Sequence, residues 1–372
     1  MKLYFVAGEA SGDARGAELM TALRSRHSCL EFHGAGGPQM KAIAGGDFLD
    51  WADEAVVGLW DVLRKYRYFK EQFNCMLSDL KRVSPDALIL IDYPGYNLRL
   101  AKAARQALPN TKIIYYISPQ VWAWNRGRIP RMARYLDLML CIFPFEKPLY
   151  EKSGLPTEFV GHPMLDSLAA KRIDGQRDRK LVALLPGSRG KEVRKIFPIM
   201  LESARVLHKR DSNLRFESAA ASEALAVEMR NIARGAVECE IKVGVSHELM
   251  QRAGAGMVCS GTATLESAYF GLPMVILYKV AWLTWVVGKR LVRVPFLGMP
   301  NILAGRAIVP EFLQDAANPD AIAEELFRLM THQTETDRMQ RDLAGVVSQL
   351  GEPGAGDRAA AAICMELGLS PS

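Results

Sequence analysis

Short runs of apolar residues alternate along this chain with longer segments in which apolar residues recur every three or four positions. The first run, Leu3–Ala7, leads through a glycine-rich turn into a helical pattern near residues 13–26. Similar runs form two series. The first series continues with Ala87–Ile91, Lys112–Ile117, Leu138–Phe143 and Glu158–Gly161. The second series comprises Leu181–Leu185, Leu214–Ser218, Glu240–Val243, Gly256–Cys259 and Met274–Leu277. Strands that alternate with helices of about ten or more residues predict parallel sheets with helices on both faces.

A polar and charged segment at residues 165–180 separates the two series. Each series therefore predicts a doubly wound α/β domain, and a chain of 372 residues is long enough for two. We place the first domain at 1–168, the second at 169–345 and a helical tail at 346–372. In such sheets ligands bind beyond the carboxyl ends of the strands, so functional residues are expected in the turns between strand and helix.

Composition narrows the class of protein without naming a partner. With 49% hydrophobic and 24% charged residues, the chain has an ordinary globular composition, which excludes disorder and a disulfide-stabilised miniature fold. The net charge of +6 suits an anionic ligand or a membrane surface as well as nucleic acid. The six cysteines lie far apart, which favours reduced thiols in a cytosolic protein over disulfides or zinc. Basic residues interrupt the most apolar stretch, residues 273–299, so no membrane-spanning helix is predicted.

Two turns of the first domain carry acidic side chains at the ends of predicted strands. Glu9, Ser11 and Asp13 lie where the first helix begins, and its N–H groups can bind an anion or a hydroxyl group there. Alternatively, Ser11 or Asp13 caps the helix. Asp92 directly follows an apolar run, where partial burial would raise its pKa and suit it as a general base. It can equally end the strand and begin an Asx turn.

Aromatic and basic residues are interleaved at two places in the same domain. Trp122, Arg126 and Arg128 follow the third strand, where they can form a stacking and phosphate-binding wall, or serve as a core anchor and two solvated arginines. A second cluster has helical spacing and basic neighbours, and it comprises Trp60, Val62, Leu63, Tyr66 and Phe69. This pattern is typical of an interfacial helix on anionic lipid, and a core-packed helix with a basic solvent face has the same spacing.

The second domain contains two glycine-containing turns that can bind a diphosphate. The first holds Gly187, Ser188 and Arg189, and it lacks the endings of a Walker loop or a dinucleotide fingerprint. The second consists of the small residues Ser260, Gly261, Thr262, Ala263 and Thr264. Glu266, about one turn into the following helix, can accept both hydroxyls of a ribose, or it can simply face solvent. Two anion-binding turns in one domain favour a nucleoside diphosphate over two coincidental helix caps.

No Asp-x-Asp sequence occurs in the chain, so we expect no metal-diphosphate site of that kind. The charge on a departing diphosphate would then be neutralised by Arg189 and backbone donors. We accordingly predict that the protein needs neither a metal nor another cofactor.

Eight motifs that include these residues occur in order along about four-fifths of the chain. They are VAGEASGD (6–13), IDYPGYN (91–97), SPQVWAW (118–124), FPFEKPLY (143–150), FVGHP (159–163), LLPGSRGKEV (184–193), SGTATLE (260–266) and PNILAGR (300–306). In this set the sequence resembles the lipid-A-disaccharide synthases, which are inverting glycosyltransferases. The resemblance implies an α/β protein of GT-B fold, with two Rossmann-like doubly wound domains that face each other across a cleft.

The resemblance also implies roles for individual residues. Asp92 matches the general base of the family, and Arg189 and Asn301 match positions important for activity. The turn from Ser260 to Glu266, together with Gly187 and Ser188, matches the nucleotide-sugar site. The remaining matches lie on the acceptor side of the cleft, and they are Glu9, Ser11, Asp13, Trp122, Arg126 and Arg128.

As a member of this family, the protein would join UDP-2,3-diacylglucosamine to 2,3-diacylglucosamine 1-phosphate (lipid X) through a β-1,6 linkage and release UDP. It would be cytoplasmic and bound peripherally to the anionic inner-membrane surface through the Trp60–Phe69 segment, with no nucleic-acid partner. The apolar segment 280–297 is compatible with an interface between two copies of the chain, so a homodimer remains an open alternative.

Two other functions remain open on the sequence. One is a different GT-B enzyme that uses UDP-N-acetylglucosamine, such as the murein precursor transferase or a 2-epimerase. The other is a non-catalytic nucleotide-sugar-binding membrane scaffold. Activity on an unacylated donor would favour the first, and retention of Asp92 with Arg189 and Glu266 disfavours the second.

Overall fold

The computed structural model describes residues 1–46, 48–50, 59–124, 126–279 and 295–369, without the side chains of residues 50, 59–69, 124 and 315. The chain folds into two compact units, one formed by residues 1–163 and 350–372 and the other by residues 164–349. Each unit contains one parallel sheet with helices on its faces.

The first unit has a seven-stranded sheet in the order β3-β2-β1-β4-β5-β6-β7. Its strands are β1 (Lys2–Ala7), β2 (Glu31–Gly36), β3 (Leu49–Asp50), β4 (Ala87–Ile91), β5 (Lys112–Tyr116), β6 (Leu138–Cys141) and β7 (Thr157–Phe159). The described helices of its N-terminal part, residues 1–163, are α1 (Ala10–Arg26), α2 (Pro38–Ala44), α3 (Leu59–Val83), α4 (Pro94–Ala107), α5 (Val121–Trp124), α6 (Ile129–Met132) and α7 (Glu146–Glu151).

Strand β1 shows why this sheet is covered on both faces. Successive side chains of a strand point to opposite faces, and every residue of Leu3–Ala7 is buried. Leu3 and Phe5 pack into one hydrophobic cluster, whereas Tyr4 and Val6 pack into a second one on the other face. A continuous apolar run is therefore the expected pattern for a central parallel strand.

The second unit has a six-stranded parallel sheet in the order β10-β9-β8-β11-β12-β13. Its strands are β8 (Asp178–Leu185), β9 (Arg215–Ala220), β10 (Glu240–Val243), β11 (Ala253–Cys259), β12 (Met274–Tyr278) and β13 (Glu311–Leu313). Its described helices are α8 (Met164–Ala169), α9 (Gly190–Arg210), α10 (Glu223–Ile232), α11 (Ser246–Arg252), α12 (Thr262–Tyr269), α13 (Met299–Ala304), α14 (Pro319–Thr331) and α15 (Gln333–Ser348).

The C-terminal tail differs from the sequence-based division of the chain. We expect a separate helical tail from residue 346, but the chain returns to the first unit at Leu350 and adds helix α16 (Ala355–Glu366) to it. Ala359, Ala360 and Ile363 of α16 are buried in the same cluster as Leu3 and Phe5. The tail is thus part of the first unit's core, because its apolar face covers the sheet.

Candidate active site

In the first unit, two of the predicted turns meet because the strands before them are neighbours. Strands β1 and β4 pair in parallel, with Ala7 opposite Ile91, so the turns after both strands lie at the same edge of the sheet. The Tyr93 ring packs directly on Gly8, where a Cβ would lie 2.3 Å from Tyr93 Cδ1. Only glycine fits at position 8, which explains why the turn after β1 begins with this residue.

Asp92 lies at the end of β4 in an unusual backbone conformation. Asp92 and Tyr93 are consecutive left-handed residues, with φ of 46° and 50°. Non-glycine residues rarely adopt this region, and such strain is found where surrounding contacts fix it. The strand therefore turns sharply into α4 at the residue predicted to be the base.

The surroundings of Asp92 favour its protonated form. Burial raises the pKa of the carboxyl group, a hydrogen bond from the Tyr93 N–H opposes this change, and the nearby Glu9 carboxylate raises the pKa further. Glu9 itself is exposed and precedes α1 as its N-cap residue. A carboxylate with a raised pKa is a stronger base than an ordinary aspartate, which is suitable for proton abstraction.

The other acidic residue of the first turn has a structural role instead of the direct acceptor contact that we predict. Asp13 is 2% exposed, and its carboxylate accepts hydrogen bonds from the N–H groups of Gly37, Gln39 and Met40 at 2.9–3.0 Å. It therefore caps the N-terminus of α2 rather than that of its own helix. Ser11, in the first turn of α1, is exposed.

Of the two roles considered for Trp122, a stacking wall for ligand or an anchor in the core, the structure shows the core anchor. It is 3% exposed, and its Nε1–H donates to Glu146 Oε1 at 2.9 Å. Arg126 is exposed in the short 3-10 helix Arg126–Arg128 that follows, where its Nε donates to the Trp122 carbonyl at 3.0 Å, and Arg128 is half-buried. The two arginines remain the acceptor-side candidates on this segment.

Sequence reasoning missed Glu146, although it lies within one of the eight motifs. Its carboxylate is fully buried, and it also accepts a hydrogen bond from the Phe143 N–H at 3.1 Å. Burial raises the pKa of Glu146 to about 7, against the opposing effect of the hydrogen bonds from Phe143 and Trp122. The only signal in the sequence is an acidic residue among apolar and aromatic neighbours.

In the second unit, both predicted diphosphate turns follow neighbouring strands. Strands β8 and β11 pair in parallel, with Leu185 opposite Val258. Gly187 has a φ of 104°, and a Cβ there would lie 2.7 Å from Glu192 Oε2 and 3.5 Å from Cys259 Sγ. The two turns therefore lie side by side, and the first requires glycine at position 187.

Arg189 lies directly before α9, where it is available to an anionic ligand. Its side chain is 75% exposed, and its only described ion pair is a contact of 3.4 Å between Nη1 and Glu192 Oε1. Ser188 beside it is exposed as well. The N-terminal N–H groups of α9 add donors at the same place.

The second turn combines an exposed glycine with a buried threonine. Gly261 has a φ of 153° and is exposed together with Thr262, while Ala263 is half-buried. Thr264 is fully buried, and its Oγ1 donates to the Gly261 carbonyl at 2.7 Å. Ser260 Oγ donates to the Leu297 carbonyl at 3.2 Å.

Glu266, the predicted ribose acceptor, has His247 as a neighbour, which no sequence motif indicates. His247 Nε2 lies 3.4 Å from Glu266 Oε2, and His247 Nδ1 lies 3.3 Å from Lys171 Nζ. The Glu266 side chain is 26% exposed, so a ligand can still reach it.

Asn301, which the family resemblance places among the residues important for activity, makes structural contacts within the second unit. It is fully buried, and Oδ1 accepts hydrogen bonds from the N–H groups of Ile308 and Val309 at 2.8 and 2.9 Å. Nδ2 donates to the Val309 carbonyl and to Glu311 Oε1 at 2.8 and 2.7 Å. All four hydrogen-bonding positions of the amide are thus used within the chain, and the amide holds the segment after α13.

The predicted membrane-contact side chains lie outside the described residues. The backbone of α3 is described from Leu59 onward, but the side chains of Trp60, Val62, Leu63, Tyr66 and Phe69 are not. Most of the apolar segment 280–297 is outside the described ranges too. None of the helices in the described part of the chain combines the length and apolar character that crossing a bilayer requires.

Comparison with known structures establishes the fold. The chain superimposes on the UDP-N-acetylglucosamine 2-epimerase of Neisseria meningitidis bound to UDP-GlcNAc with a TM-score of 0.61 and 12% identity, over 99% of this chain and 100% of that one. It also superimposes on CalG4, the calicheamicin glycosyltransferase, with a TM-score of 0.59 and 13% identity, over 99% and 98%. Two doubly wound α/β units in this arrangement along the chain are the GT-B fold.

Comparison of sequences establishes the family. Residues 3–364 match the family model described as lipid-A-disaccharide synthetase. A lipid-A-disaccharide synthase of Geobacter metallireducens is 40% identical over an alignment of 378 positions, gaps included, which covers 99% of this chain and 97% of that protein. The chain therefore belongs to the lipid-A-disaccharide synthetase family.

Proposed function

We propose that the protein transfers a 2,3-diacylglucosaminyl group from UDP to the 6-hydroxyl of 2,3-diacylglucosamine 1-phosphate, with Asp92 as the base. The observation that carries the proposal is the Asp92 turn, because a half-buried carboxylate beside Glu9 is suited to deprotonating a sugar hydroxyl. Family membership supports the nucleotide-sugar donor and the lipid-linked acceptor.

The second unit would bind the UDP portion of the donor. The turn at Gly187–Arg189 and the turn at Ser260–Thr264 lie side by side, with the N-termini of α9 and α12 behind them. Backbone donors together with the exposed Arg189 guanidinium would neutralise the charge that develops on the departing diphosphate. Glu266 would accept hydrogen bonds from the ribose hydroxyls.

In the first unit, Asp92 would remove the proton as the acceptor oxygen attacks the anomeric carbon. The new bond forms on the face opposite the departing UDP, so the configuration at that carbon is inverted. The proton passes to the Asp92 carboxylate and the electron pair of the broken bond leaves with UDP. Arg126 and Arg128 would contact the acceptor phosphate.

We further propose that the protein works at the cytoplasmic face of the inner membrane, because both substrates carry acyl chains. The Trp60–Phe69 segment, with its basic neighbours, has the composition of a helix that binds anionic lipid. The excess of Lys and Arg over Asp and Glu adds a general attraction to that surface.

A donor-specificity assay in mixed micelles tests this function. Purified protein would be given UDP-2,3-diacylglucosamine or UDP-N-acetylglucosamine, each with and without 2,3-diacylglucosamine 1-phosphate, and the released UDP would be measured with and without EDTA. We expect release only from the acylated donor, only with acceptor, and equally in EDTA. Release of UDP from UDP-N-acetylglucosamine, or epimerisation of that sugar, without any release from the acylated donor would contradict the proposal.

A further inference from the structure

The turn after β4 contains two consecutive residues whose backbone is unfavourable for any side chain with a Cβ. Asp92 and Tyr93 have φ of 46° and 50°. Aspartate tolerates this region better than most residues do, but tyrosine does not. Such a turn would relax toward an ordinary conformation unless contacts with other groups held it in place.

Two buried side chains from different elements bind the same carbonyl oxygen in this turn. Tyr115 Oη on β5 donates to the Asp92 carbonyl at 2.5 Å, and Asn97 Nδ2 on α4 donates to it at 2.8 Å. Both side chains are fully buried. Since a carbonyl oxygen has two lone pairs, these bonds satisfy it completely.

The amide of the same residue is fixed as well. The Asp92 N–H donates to the Tyr116 carbonyl at 3.0 Å, and Asn97 Nδ2 also lies 3.1 Å from the Ile91 carbonyl. The peptide groups on both sides of the Asp92 Cα are therefore held by β5 and α4. Because the backbone torsion at Asp92 sets the direction of its Cα–Cβ bond, these contacts also set where the carboxylate lies.

In this turn, Tyr115 and Asn97 donate their hydrogen bonds to backbone carbonyls and not to the Asp92 carboxylate. Tyr115 is nevertheless close enough to sense that charge, since burial raises the pKa of its hydroxyl and the Asp92 carboxylate raises it further. The hydrogen bonds act on the carboxylate through the backbone, and a shift of about 1 Å in a reacting group is enough to lower a rate substantially. We propose that Tyr115 and Asn97 are positioning residues that lock the left-handed turn at Asp92 and so aim its carboxylate at the acceptor hydroxyl. The inference rests on the proposed function, in which Asp92 is the base.

The first test is Tyr115→Phe, which removes one of the two donors and keeps the ring. We expect kcat to fall about tenfold or more, while KM for both substrates stays within about twofold. Tyr4→Phe is the matched control. Tyr4 is another fully buried tyrosine of the same sheet, and it packs in the same hydrophobic cluster as Tyr115. Its hydroxyl donates to Oδ2 of Asp79, a residue of α3, at 2.9 Å. Tyr4→Phe should lose a similar amount of thermal stability and keep the wild-type kcat.

A second variant keeps the test decisive if Tyr115→Phe does not fold. Asn97→Ser removes the other donor to the Asp92 carbonyl, and we expect the same fall in kcat with unchanged KM. Wild-type kcat in either folded variant, or an equal fall in kcat in Tyr4→Phe, would overturn the inference.

Asp92→Asn separates this inference from the proposed function. If Asp92→Asn is inactive while Tyr115→Phe and Asn97→Ser keep the wild-type kcat, the base assignment stands and the positioning inference fails. If Asp92→Asn keeps the wild-type kcat, the proposed function itself fails.

Discussion

Burial raises the pKa of Asp92, and the Glu9 carboxylate raises it further. A base must be ionised to accept a proton, so activity should increase with pH through a pKa above that of an ordinary aspartate. Glu9→Gln removes the repelling charge and lowers the pKa of Asp92. We therefore expect the acidic limb of the kcat/KM profile to move to lower pH in Glu9→Gln.

Glu18→Gln in α1, the helix that Glu9 precedes, is the control for this prediction. Glu18 is half-exposed and pairs with Arg15 at 2.8 Å. The kcat/KM pH profile of Glu18→Gln should coincide with that of the wild type. An acidic limb that stays in place or moves to higher pH in Glu9→Gln would contradict the assigned electrostatic effect.

Single residues also show where prediction from sequence stops. The position of Asp92 at the end of β4 and its raised pKa follow from the apolar run before it. The roles of Asp13 and Trp122 do not, because their partners are distant in sequence. Asp13 caps a helix that begins at Pro38, and Trp122 binds Glu146. A capping residue and a ligand-binding residue look alike until the partner is known.

At the scale of elements, Glu146 joins the segment after β5 to the segment after β6. It accepts hydrogen bonds from Trp122 Nε1 and from the Phe143 N–H. Burial raises its pKa from 4.5 to about 7, so the folded state binds an extra proton between these values. The free energy of unfolding should therefore fall as the pH rises from about 4.5 to 7, by up to about 3 kcal/mol.

Glu146→Gln removes this titration, so the variant's stability should fall less than that of the wild type between pH 5 and 7.5. Chemical denaturation at several pH values measures the difference in slope. Glu151→Gln on the same helix replaces a half-exposed glutamate and should keep the wild-type slope. Equal slopes in Glu146→Gln and wild type would show that Glu146 has no raised pKa.

Helix α13 and strand β13 are joined by the amide of Asn301. Asn301→Ala would leave the buried N–H groups of Ile308 and Val309 without their acceptor, at a cost of about 2–4 kcal/mol. We expect activity and stability to fall together, in contrast to Asn318→Ala, which removes only an exposed cap of α14 and costs about 1 kcal/mol. If Asn301→Ala lost activity but kept wild-type stability, the result would indicate that Asn301 acts directly in catalysis.

The alternation of strands and helices was predictable because buried parallel strands are continuous apolar runs. Strand β10 coincides with the predicted Glu240–Val243. Strands β2, β3 and β13 were not predicted, because β2 contains two glycines and the others have only two or three residues. Short or glycine-containing strands owe their conformation to the neighbouring strand rather than to their own pattern.

At the scale of the whole molecule, the first unit is built from both ends of the chain. Ile363 of α16 is fully buried in the cluster that contains Leu3 and Phe5, and Lys112 Nζ pairs with Glu366 Oε1 at 2.7 Å. The apolar pattern of the tail predicts the helix but not its place, because an apolar helical face does not specify which sheet it covers.

Ile363→Ala should therefore destabilise the first unit by about 2–4 kcal/mol through the cavity that it leaves. Hydrogen exchange of the β1 amides measures this effect in the unit concerned. Met365→Ala on the same helix is the control, since Met365 is 81% exposed and should leave exchange unchanged. Equal protection of β1 in both variants would show that α16 is not part of this core.

In the mechanism proposed for this lipid-A-disaccharide synthetase family member, Asp92 is the base that deprotonates the acceptor. The most direct measurement of this role is acceptor-dependent UDP release by Asp92→Asn beside the wild type, with UDP affinity measured on the same preparations. We expect kcat to fall by about a hundredfold or more while UDP binds with wild-type affinity, because the two turns proposed to bind the nucleotide lie in the other unit. Wild-type turnover by Asp92→Asn would contradict the account.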